Sequence, residues 1–491
     1  MIELRRKILL PVFQLSELTD QDDPRVIERT VKQGKRHPSL TYWYRFVWDE
    51  KESRGYNYNL FPVVLDRKSV PWALGTLFIL SQLECETQPV MSTFHSRADD
   101  LGAFKEWLDS QDRPEELLFH FPKPKLRRTT YRYRGFLQRQ IQAREIGSTT
   151  AKRRMGTVIS FYKWLVSNHY FTPEYPTWEE RKYQLSFNAG DGQQLSKTVI
   201  STDLSIPAPR AEDDFDGTIQ DGGKLRPLPG NEQDWLLEAA EAKGNSECLL
   251  LQLFMLSTGA RMESACTLRV RHFSNPEPPC SKSLTGDGEI YRLKAGPGTG
   301  IETKNNKPGT FQVPRPLYEL LHTYALSNRA ELRRQRYTAK HGEHHDIYLF
   351  LTLQGSPYYI AKEESQQFDP DLDRRYSKTG QPIRQFIKDH AIPFVRENYD
   401  KSFFYRPHDL RASFGMNMLE ELTKQIEEGK ITLHQVRLMV KDLMWHTSSA
   451  TTDRYLNYKK KMNVFYKAIN GYGEYLQQWT DRAMKGMAID E

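Results

Sequence analysis

The sequence predicts a multidomain, mainly α-helical protein in which a helical domain precedes a larger α+β domain with a small antiparallel sheet. Three observations lead to this prediction. The chain has 491 residues, and a single core stops growing beyond roughly 250 to 300 residues. Two long regions carry apolar residues at helical spacing. Within the second region lies EIYRLKAGPGTGIETKNNKPGTFQVP, a turn-punctuated stretch typical of short paired strands.

Composition excludes two classes of protein. The chain is 38% hydrophobic and 27% charged, and no stretch approaches the roughly 18 apolar residues of a membrane span. Its first residues, MIELRRKILLPVFQLSEL, lack the apolar core and cleavage site of a signal peptide. The four cysteines are too scattered for a disulfide framework or a CxxC metal site. We therefore expect an intracellular protein with no membrane partner and with reduced cysteines.

The N-terminal half of the chain divides into two predicted domains. Residues 1–88 contain an aromatic, turn-rich stretch at 42–65 that indicates short strands, and no role follows from it. Residues 89–172 are predicted to form a small helical domain. In its first helix Leu101, Phe104, Trp107 and Leu108 fall on one face, and a second helix opens near Ser148.

The remainder is predicted to comprise a linker, a catalytic domain and a tail. Residues 173–226 are rich in proline, contain an acidic run at 212–216 and include a Gly-Gly pair, all typical of a linker. Residues 227–465 run helix, sheet, helix, the order of an α+β domain. Residues 466–491 form a tail that is a candidate for contact with a neighbouring subunit.

Positive charge is concentrated in one stretch. The net charge of the whole chain is +7, but residues 123–154 contain eleven Lys or Arg and a single acid, Glu145. Tyr131, Tyr133 and Phe136 are interleaved with them, a mixture suited to phosphate contact and to packing on sugar and base. A solvated helix face is the alternative interpretation, but such faces usually mix signs. The candidate DNA-binding residues are Lys125, Arg127, Arg128, Arg132, Arg134, Lys152 and Arg153.

A cluster of His341, Glu343, His344, His345 and Asp346 could suggest a metal site. It lacks the HExxH spacing and lies in a very polar stretch before an apparent strand. A solvated loop is the favoured interpretation, and we expect no metal and no cofactor.

Candidate catalytic residues lie in the C-terminal half. Arg261 follows a helical run that Gly259 can end, and a guanidinium suits a phosphate whose charge rises in a transition state. A surface or helix-dipole arginine is the ordinary alternative. His408 and Arg411 are three residues apart, so a helix places them on one face. There one could move a proton while the other holds the same phosphate.

His446 and Tyr455 are nine residues apart, which on one continuous helix would put them on opposite faces. If they share a site, the chain must turn between them, and the Ser448–Ser449 region allows a new helix to begin. A phenol has a pKa near 10, so Tyr455 would need cationic neighbours and a base to act as a nucleophile. Tyr458, one turn further, is the rival nucleophile.

In chain order, STGARMESACTLRVRHF, RPHDLRASFGMNML and LMWHTSSATTDRYLNY resemble the tyrosine recombinase family, which includes phage integrases. The family signature is Arg, then HxxR, then His or Trp, then Tyr nine residues later, and Arg261, His408, Arg411, His446 and Tyr455 meet it. The resemblance implies a site-specific DNA recombinase of a mobile element that cleaves through a 3′-phosphotyrosyl intermediate without a cofactor. It also implies that residues 89–172 are the core-binding domain.

The same resemblance implies partners and a further catalytic group. The partners are double-stranded DNA, a homo-tetramer on DNA formed from free monomers or dimers, and accessory proteins, in the bacterial cytoplasm or with the nucleoid. The family also carries a lysine on a hairpin after the first arginine. Lys304 lies at that position and Lys307 is the second candidate, and either ammonium could protonate the leaving 5′ oxygen.

The chain departs from the family pattern at three places. Ser264 stands three residues after Arg261, where the family carries Glu, and the acid is Glu263. Ala412 follows the HxxR arginine where His is common, and Trp445 precedes the second histidine where Gly is usual. A type IB topoisomerase and a non-cutting DNA-binding accessory protein with the same fold remain as alternative functions. The DNA target, the kind of element and cis or trans cleavage do not follow from the sequence.

Overall fold

The structure is a computed structural model of the chain. It describes residues 6–24, 26–31, 40–46, 48–49, 54–55, 57–86, 90–188, 194–207, 217–282, 288–343, 346–361, 364 and 379–487. The described part is mostly helical with small antiparallel sheets, as the sequence predicts. The chain divides into two compact units, Met1–Asp213 with Gln366–Tyr376, and Asp214–Ser365 with Ser377–Glu491.

The first unit begins with strands and continues with helices. Its elements are β1 (Lys7–Gln14), β2 (Ser16–Leu18), β3 (Ile27–Val31), β4 (Leu40–Phe46), β5 (Trp48–Asp49), β6 (Arg54–Gly55), β7 (Asn57–Val64), α1 (Ala73–Glu84), α2 (Met91–Asp109), α3 (Pro114–Leu118), α4 (Thr129–Gln142), α5 (Ser148–Ser167), β8 (Glu180–Asn188) and β9 (Gln194–Thr202). β1 pairs with β7, β4 lies between β2 and β3, and β5 pairs with β6, all antiparallel. The strands expected in the first 88 residues are therefore present.

An aromatic core joins these strands to the helices. Phe61 of β7, Phe78 of α1, Phe104 of α2 and Phe161 of α5 are all buried in one cluster. The rings of Phe78 and Phe161 lie 5.6 Å apart, centroid to centroid. Each buried aromatic side chain contributes roughly 1.5 to 3 kcal/mol relative to exposure. Residues 57–84 thus share the core of the predicted core-binding domain, and the functional boundary at residue 88 stays a prediction.

The stretch predicted as a linker, 173–226, contains two β-hairpins. β8 and β9 pair over nine residues, from Glu180 opposite Thr202 to Asn188 opposite Gln194. β10 (Ile219–Gln220) and β11 (Lys224–Leu225), with two residues in each strand, form a short hairpin in the second unit. The acidic run at 212–216 lies outside the described residues.

The second unit is built from helices around a three-stranded sheet. After β10 and β11 its elements are α6 (Gly230–Ala242), α7 (Ser246–Thr258), α8 (Met262–Cys266), β12 (Cys280–Lys282), β13 (Glu289–Ala295), β14 (Gly309–Pro314), α9 (Arg315–Leu326), α10 (Asn328–His341), α11 (Gln381–Phe386), α12 (Ile392–Asn398), α13 (Asp409–Glu427), α14 (Leu433–Leu443) and α15 (Ser449–Met487). The strands pair antiparallel in the order β12-β13-β14. Helices thus precede and follow the small antiparallel sheet.

Two hydrophobic clusters organise this unit. The larger one packs α7 against the sheet and includes Phe254 and Val313. The smaller one joins α13, α14 and α15 to the β10–β11 hairpin and includes Ile219, Leu225 and Tyr455. α15 runs through residues 465 and 466, where the sequence suggested a boundary between catalytic domain and tail. The smaller cluster brings the predicted nucleophile beside the hairpin.

Two further findings concern bonding and hydropathy. The four cysteines are free, as expected. Among the helices that the structure describes, none combines the length and apolar character needed to cross a bilayer.

Candidate active site

Arg261 lies directly after a helix end that requires glycine. α7 ends at Gly259, whose φ is +68°, and a Cβ there would lie 2.5 Å from the Phe414 ring. Both the left-handed backbone and the close approach therefore favour glycine. Arg261 follows as the residue that precedes α8. Burial and the nearby Arg411 lower the pKa of its guanidinium, which Asp221 and Glu263 oppose.

Arg411 lies in the first turn of α13 and is held by three acceptors. Its Nη1 donates to the carbonyl of Gly259 at 2.7 Å, and its Nη2 donates to the carbonyl of Met444. Its Nε donates to Oδ2 of Asp221 at 3.1 Å. The guanidinium thus ties the end of α7 to the end of α14 and presents one edge to a carboxylate.

His408 immediately precedes α13 and lies in the same pocket. Its Nε2 lies 3.2 Å from the carbonyl oxygen of Asp221, to which it can donate. Burial, then the charges of Arg411 and Arg261, lower its pKa from 6.5 to about 4. The imidazole is therefore neutral near pH 7 and retains a nitrogen that can accept a proton.

His446 lies in the turn between α14 and α15. α15 begins at Ser449, which confirms that the chain turns between His446 and Tyr455. The His446 Nδ1 lies 3.0 Å from Oγ1 of Thr452, and its Nε2 lies 3.3 Å from Oδ2 of Asp221. Nε2 of the ring can thus donate a hydrogen bond to the carboxylate while Nδ1 accepts one from the threonine hydroxyl.

Trp445, which stands where the family usually has glycine, occupies a left-handed backbone conformation with φ +52°. Its ring stacks on Phe311 with centroids 4.4 Å apart. A Cβ on Gly309 would lie 2.6 Å from that ring, so Gly309 makes room for the tryptophan. The stacking on β14 compensates for the strained conformation beside His446.

Tyr455 projects from the second turn of α15 into the cluster. Its hydroxyl donates to Oδ2 of Asp221 at 3.1 Å, and its ring centroid lies 5.6 Å from that of His446. Burial, then the negative charge of Asp221, raise the pKa of the phenol well above its usual value. The rival Tyr458 instead donates to the carbonyl of Gly217 at 3.4 Å.

The two candidate lysines lie in the connection between β13 and β14. Nζ of Lys304 would lie 3.4 Å from a Cβ on Gly222, and Nε2 of His408 would lie 3.6 Å from the same atom. Lys304 therefore lies close to the Asp221–Gly222 turn. Nζ of Lys307 donates to the carbonyl of Trp445 at 2.9 Å.

Ser264, at the position of the family's acid, supports the neighbouring backbone. Its Oγ donates to the carbonyl of Glu302 at 2.6 Å and is buried. Thr267 accepts from the Glu302 amide at 2.8 Å. Both contacts anchor the segment that leads to Lys304.

Asp221 is the residue that sequence reasoning missed. It lies at the turn of the β10–β11 hairpin, and its Oδ2 receives contacts from Arg411, His446 and Tyr455. Burial raises the pKa of its carboxyl, but hydrogen bonds and charge from His446 and Arg411 hold that pKa far below the usual range. A signal was present, because the Asp-Gly pair at 221–222 is a turn pattern. Nothing in the sequence says which pocket such a turn enters.

The predicted DNA-binding residues in the first unit divide into two groups. Arg128 is buried and donates to the carbonyls of Pro122, Lys123 and Pro176. Four further residues have acceptors within the unit, Lys125 on Glu179 and Asp203, Arg132 on Gln111, Arg134 on Leu204 and Gln138, and Arg153 on Asp100. The side chains of Arg127, Arg132, Lys152 and Arg153 are exposed, so Arg132 and Arg153 belong to both groups. The exposed group is the part of the stretch that is available to a phosphate backbone.

The suspected metal cluster lies only in part within the described ranges of the chain. They contain no group of three His, Cys, Asp or Glu placed to hold an ion. His344 and His345 of the suspected cluster lie outside the described residues, and Asp346 lies within 3.2 Å of Arg271.

Among comparisons with known proteins, only the comparison with solved structures gives matches. No protein-family profile matches the chain, and no curated protein does. Among solved structures, the Tn1549 transposon integrase bound to transposon right end DNA is 12% identical with a TM-score of 0.39, covering 77% of this chain and 93% of that chain. The same integrase with circular intermediate DNA gives 12% identity, a TM-score of 0.39 and coverages of 77% and 94%. The chain is similar in structure to this integrase.

Chemically, the cluster is suited to bind an anion and places a phenol beside it. Two arginines, two histidines and a phenol surround one carboxylate group, and a lysine lies near the same turn. Fixed donors of this kind stabilise charge that develops on a transferring phosphoryl group.

Proposed function

We propose that the chain is a site-specific tyrosine recombinase that cleaves and rejoins DNA through a covalent 3′-phosphotyrosyl intermediate. One observation carries the proposal: Arg411, His446 and the Tyr455 hydroxyl converge on a single anionic oxygen. A nucleophile that shares an anion with two fixed donors is arranged for attack at phosphorus rather than at a neutral substrate.

The proposed cleavage step forms one bond and breaks another. The Tyr455 oxygen forms a bond to phosphorus while the bond from phosphorus to the 5′ oxygen breaks. His408, neutral at pH 7 because its pKa is about 4, accepts the phenolic proton. Arg261 and Arg411 neutralise the phosphate, and His446 donates to one of its oxygens. The phosphotyrosyl bond conserves the energy of the phosphodiester, so a second strand can rejoin without a cofactor.

Lys304 is the proposed general acid for the 5′ oxygen. Its ammonium lies beside the Asp221–Gly222 turn, whereas the ammonium of Lys307 already donates to the Trp445 carbonyl. A mobile ammonium near the anion site is the better placed of the two to protonate a leaving alkoxide. Lys307 then holds the turn that carries His446.

Partners and context belong to the same proposal. The substrate is double-stranded DNA, held partly by the exposed members of the basic stretch in the core-binding domain. Integration, excision or transposition of a mobile element would use a tetramer on DNA, with the tail after residue 465 as a subunit contact. We expect this activity in the bacterial cytoplasm, at the nucleoid.

The test is formation of a covalent adduct. Duplexes that the full chain selects from a random pool are nicked to trap the intermediate, incubated with the protein and run on a denaturing gel. Wild type and Tyr458→Phe are expected to form the adduct, and Tyr455→Phe is not, because only its hydroxyl lies in the anion site. An adduct with Tyr455→Phe would refute this nucleophile.

The same substrates separate the alternative functions. A recombinase joins strands of two site-bearing duplexes, whereas a type IB topoisomerase relaxes supercoils without joint products. Tight binding of the selected duplex with no adduct from any variant would indicate a non-cutting accessory protein.

A further inference from the structure

The turn of the β10–β11 hairpin occupies the middle of the candidate active site. The side chain of Asp221 contacts Arg411, His446 and Tyr455, and its backbone carbonyl accepts from His408. The next residue, Gly222, has φ +71° and lies against Lys304 and His408. This short turn therefore lies against every proposed catalytic group of the pocket except Arg261. The negative charge of Asp221 nevertheless acts on Arg261 and opposes the lowering of its guanidinium pKa by burial.

With this turn in place, three of the proposed catalytic groups are buried. Tyr455 is 0% exposed, Arg411 is 3% exposed and His446 is 7% exposed. A phosphodiester is part of a bulky duplex and must touch the tyrosine oxygen at attack distance. It cannot do so while Asp221 and Gly222 keep their positions.

The carboxylate stands in chemically for a phosphate oxygen. Both are anionic oxygens that accept charge-assisted hydrogen bonds from guanidinium and imidazole groups. Oδ2 of Asp221 lies 3.1 Å from Nε of Arg411, 3.3 Å from Nε2 of His446 and 3.1 Å from the Tyr455 hydroxyl. A bound phosphodiester would need the same donors, so the two ligands exclude each other.

We propose that Asp221 is an internal inhibitor: its carboxylate occupies the position of the scissile phosphate, and the β10–β11 hairpin must leave the pocket before DNA is cleaved. This inference rests on the proposed recombinase function. It adds a closed state of the free protein that DNA must open.

The attachment of the hairpin suits a removable element. Each strand contributes two residues, and apart from the buried Ile219 and Leu225 its anchors are largely polar. Arg454 donates to the Gln220 carbonyl at 2.8 Å, and the side chain of Asp221 contacts the catalytic groups. Phosphate oxygens can accept the hydrogen bonds that Arg411, His446 and Tyr455 now donate to the Asp221 carboxylate.

The electrostatics disfavour a role for Asp221 as the base that deprotonates Tyr455, although its Oδ2 accepts from the hydroxyl. The donors around the carboxylate hold its pKa far below its usual range, which makes it a weak proton acceptor. The negative charge also raises the pKa of the phenol, which disfavours the phenolate. Both effects retard chemistry as long as the carboxylate stays.

The first experiment measures anion binding without DNA. Inorganic phosphate is titrated into the full chain and followed by ³¹P NMR line broadening, for wild type, Asp221→Ala, Asp221→Asn and the control Asp234→Asn on the exposed face of α6. If the closed state reduces the competent fraction, apparent affinity falls by that fraction. We expect both Asp221 variants to bind phosphate about tenfold or more tightly than wild type, and the control to match wild type.

The asparagine variant keeps the shape of the side chain, so a folding defect in the alanine variant does not remove the test. Thermal unfolding of each variant identifies such a defect. Unchanged phosphate affinity in folded Asp221→Asn and Asp221→Ala would overturn the inference.

The second experiment uses the nicked duplexes selected by the full chain. Wild type is expected to form the adduct, and both Asp221 variants are expected to form it about tenfold faster at limiting DNA because less of the protein is closed. Loss of the adduct in both variants would assign Asp221 to the chemistry and refute the inhibitory role. If no protein forms an adduct, the proposed function fails, and the phosphate titration still decides whether Asp221 closes the anion site.

Discussion

At the scale of single residues, the shared oxygen of Asp221 explains the opposed pKa shifts in the site. Donors from Arg411 and His446 stabilise the carboxylate, so the pKa of Asp221 falls. Burial, and then this negative charge next to the phenol, raise the pKa of Tyr455. A buried carboxylate is costly unless such partners satisfy it. Paired shifts of this kind are frequent at functional sites.

Thr452 is a positioning residue for His446. It is fully buried, and its hydroxyl lies 3.0 Å from Nδ1 of the histidine. Thr452→Val keeps the shape and removes the hydrogen bond. Because such a bond contributes about 1 kcal/mol and 1.36 kcal/mol corresponds to tenfold in rate, we expect adduct formation to slow about fivefold to tenfold.

The readout separates positioning from folding. DNA affinity and thermal unfolding are expected to change little in Thr452→Val, and Thr452→Ser should restore the rate because it restores the hydroxyl. A rate equal to wild type in the valine variant would show that the hydrogen bond does not orient His446.

At the scale of elements, the site depends on helix ends and on the β13–β14 connection. The sequence predicted the turn before α15 and the lysine-bearing connection, because glycine, serine and helical periodicity act locally. It did not predict that Gly309 makes room for Trp445, or that Lys307 holds the turn carrying His446. Those contacts join elements that are far apart in the chain.

His272 anchors the start of the β13–β14 connection in its neutral form. Its Nδ1 accepts from the Arg269 amide at 3.1 Å, and its Nε2 lies 3.1 Å from the Thr299 carbonyl. Burial, then Arg271, lower its pKa from 6.5 to about 4. Protonation of Nδ1 would therefore break its hydrogen bond with the Arg269 amide and place a positive charge beside Arg269 and Arg271.

This linkage predicts acid sensitivity. Between pH 6.5 and about 4, His272 is protonated in the unfolded chain but neutral in the folded chain. The contribution of neutral His272 to the free energy of unfolding is therefore complete above pH 6.5 and is lost as the pH falls toward 4. We expect His272→Gln to reduce the loss of unfolding free energy between pH 6.5 and 4 by on the order of 2 kcal/mol. Urea unfolding across this pH range measures it. The exposed His434→Gln should leave the pH profile unchanged, and an unaltered profile in His272→Gln would contradict the assignment.

At the scale of the whole molecule, tertiary contacts distinguish the members of the basic stretch, whose role in DNA binding stays a prediction. The basic stretch was recognised from its excess of Lys and Arg, but tertiary contacts engage several of its members. Arg128 serves three backbone carbonyls, and Lys125 serves Glu179 and Asp203. Burial separates these structural cations from the exposed Arg132 and Lys152.

A salt titration tests this separation. Replacing exposed Arg132 or Lys152 by alanine is expected to weaken binding to duplex DNA and to reduce the slope of log K against log salt by about 1 for each lost phosphate contact, with thermal stability unchanged. Arg128→Ala is expected instead to lower the unfolding temperature, because it leaves buried carbonyls without a donor. Equal salt slopes for wild type and both exposed variants would place the DNA elsewhere.

The sequence by itself determined the helical character, the small sheet, and the residue types and order of Arg261, His408, Arg411, His446 and Tyr455. Those features depend on local periodicity, turn chemistry and spacing within one or two helical turns. Only the tertiary structure decided that His408, Arg411, His446 and Tyr455 meet at Asp221, which lies 190 residues from Arg411 and 234 residues from Tyr455 along the chain. No local pattern encodes contacts over such separations, because they arise from the packing of the hairpin with α13, α14 and α15 into one cluster. The proline- and acid-rich stretch around Asp221 has the composition of a linker, and its turn nevertheless occupies the centre of the site.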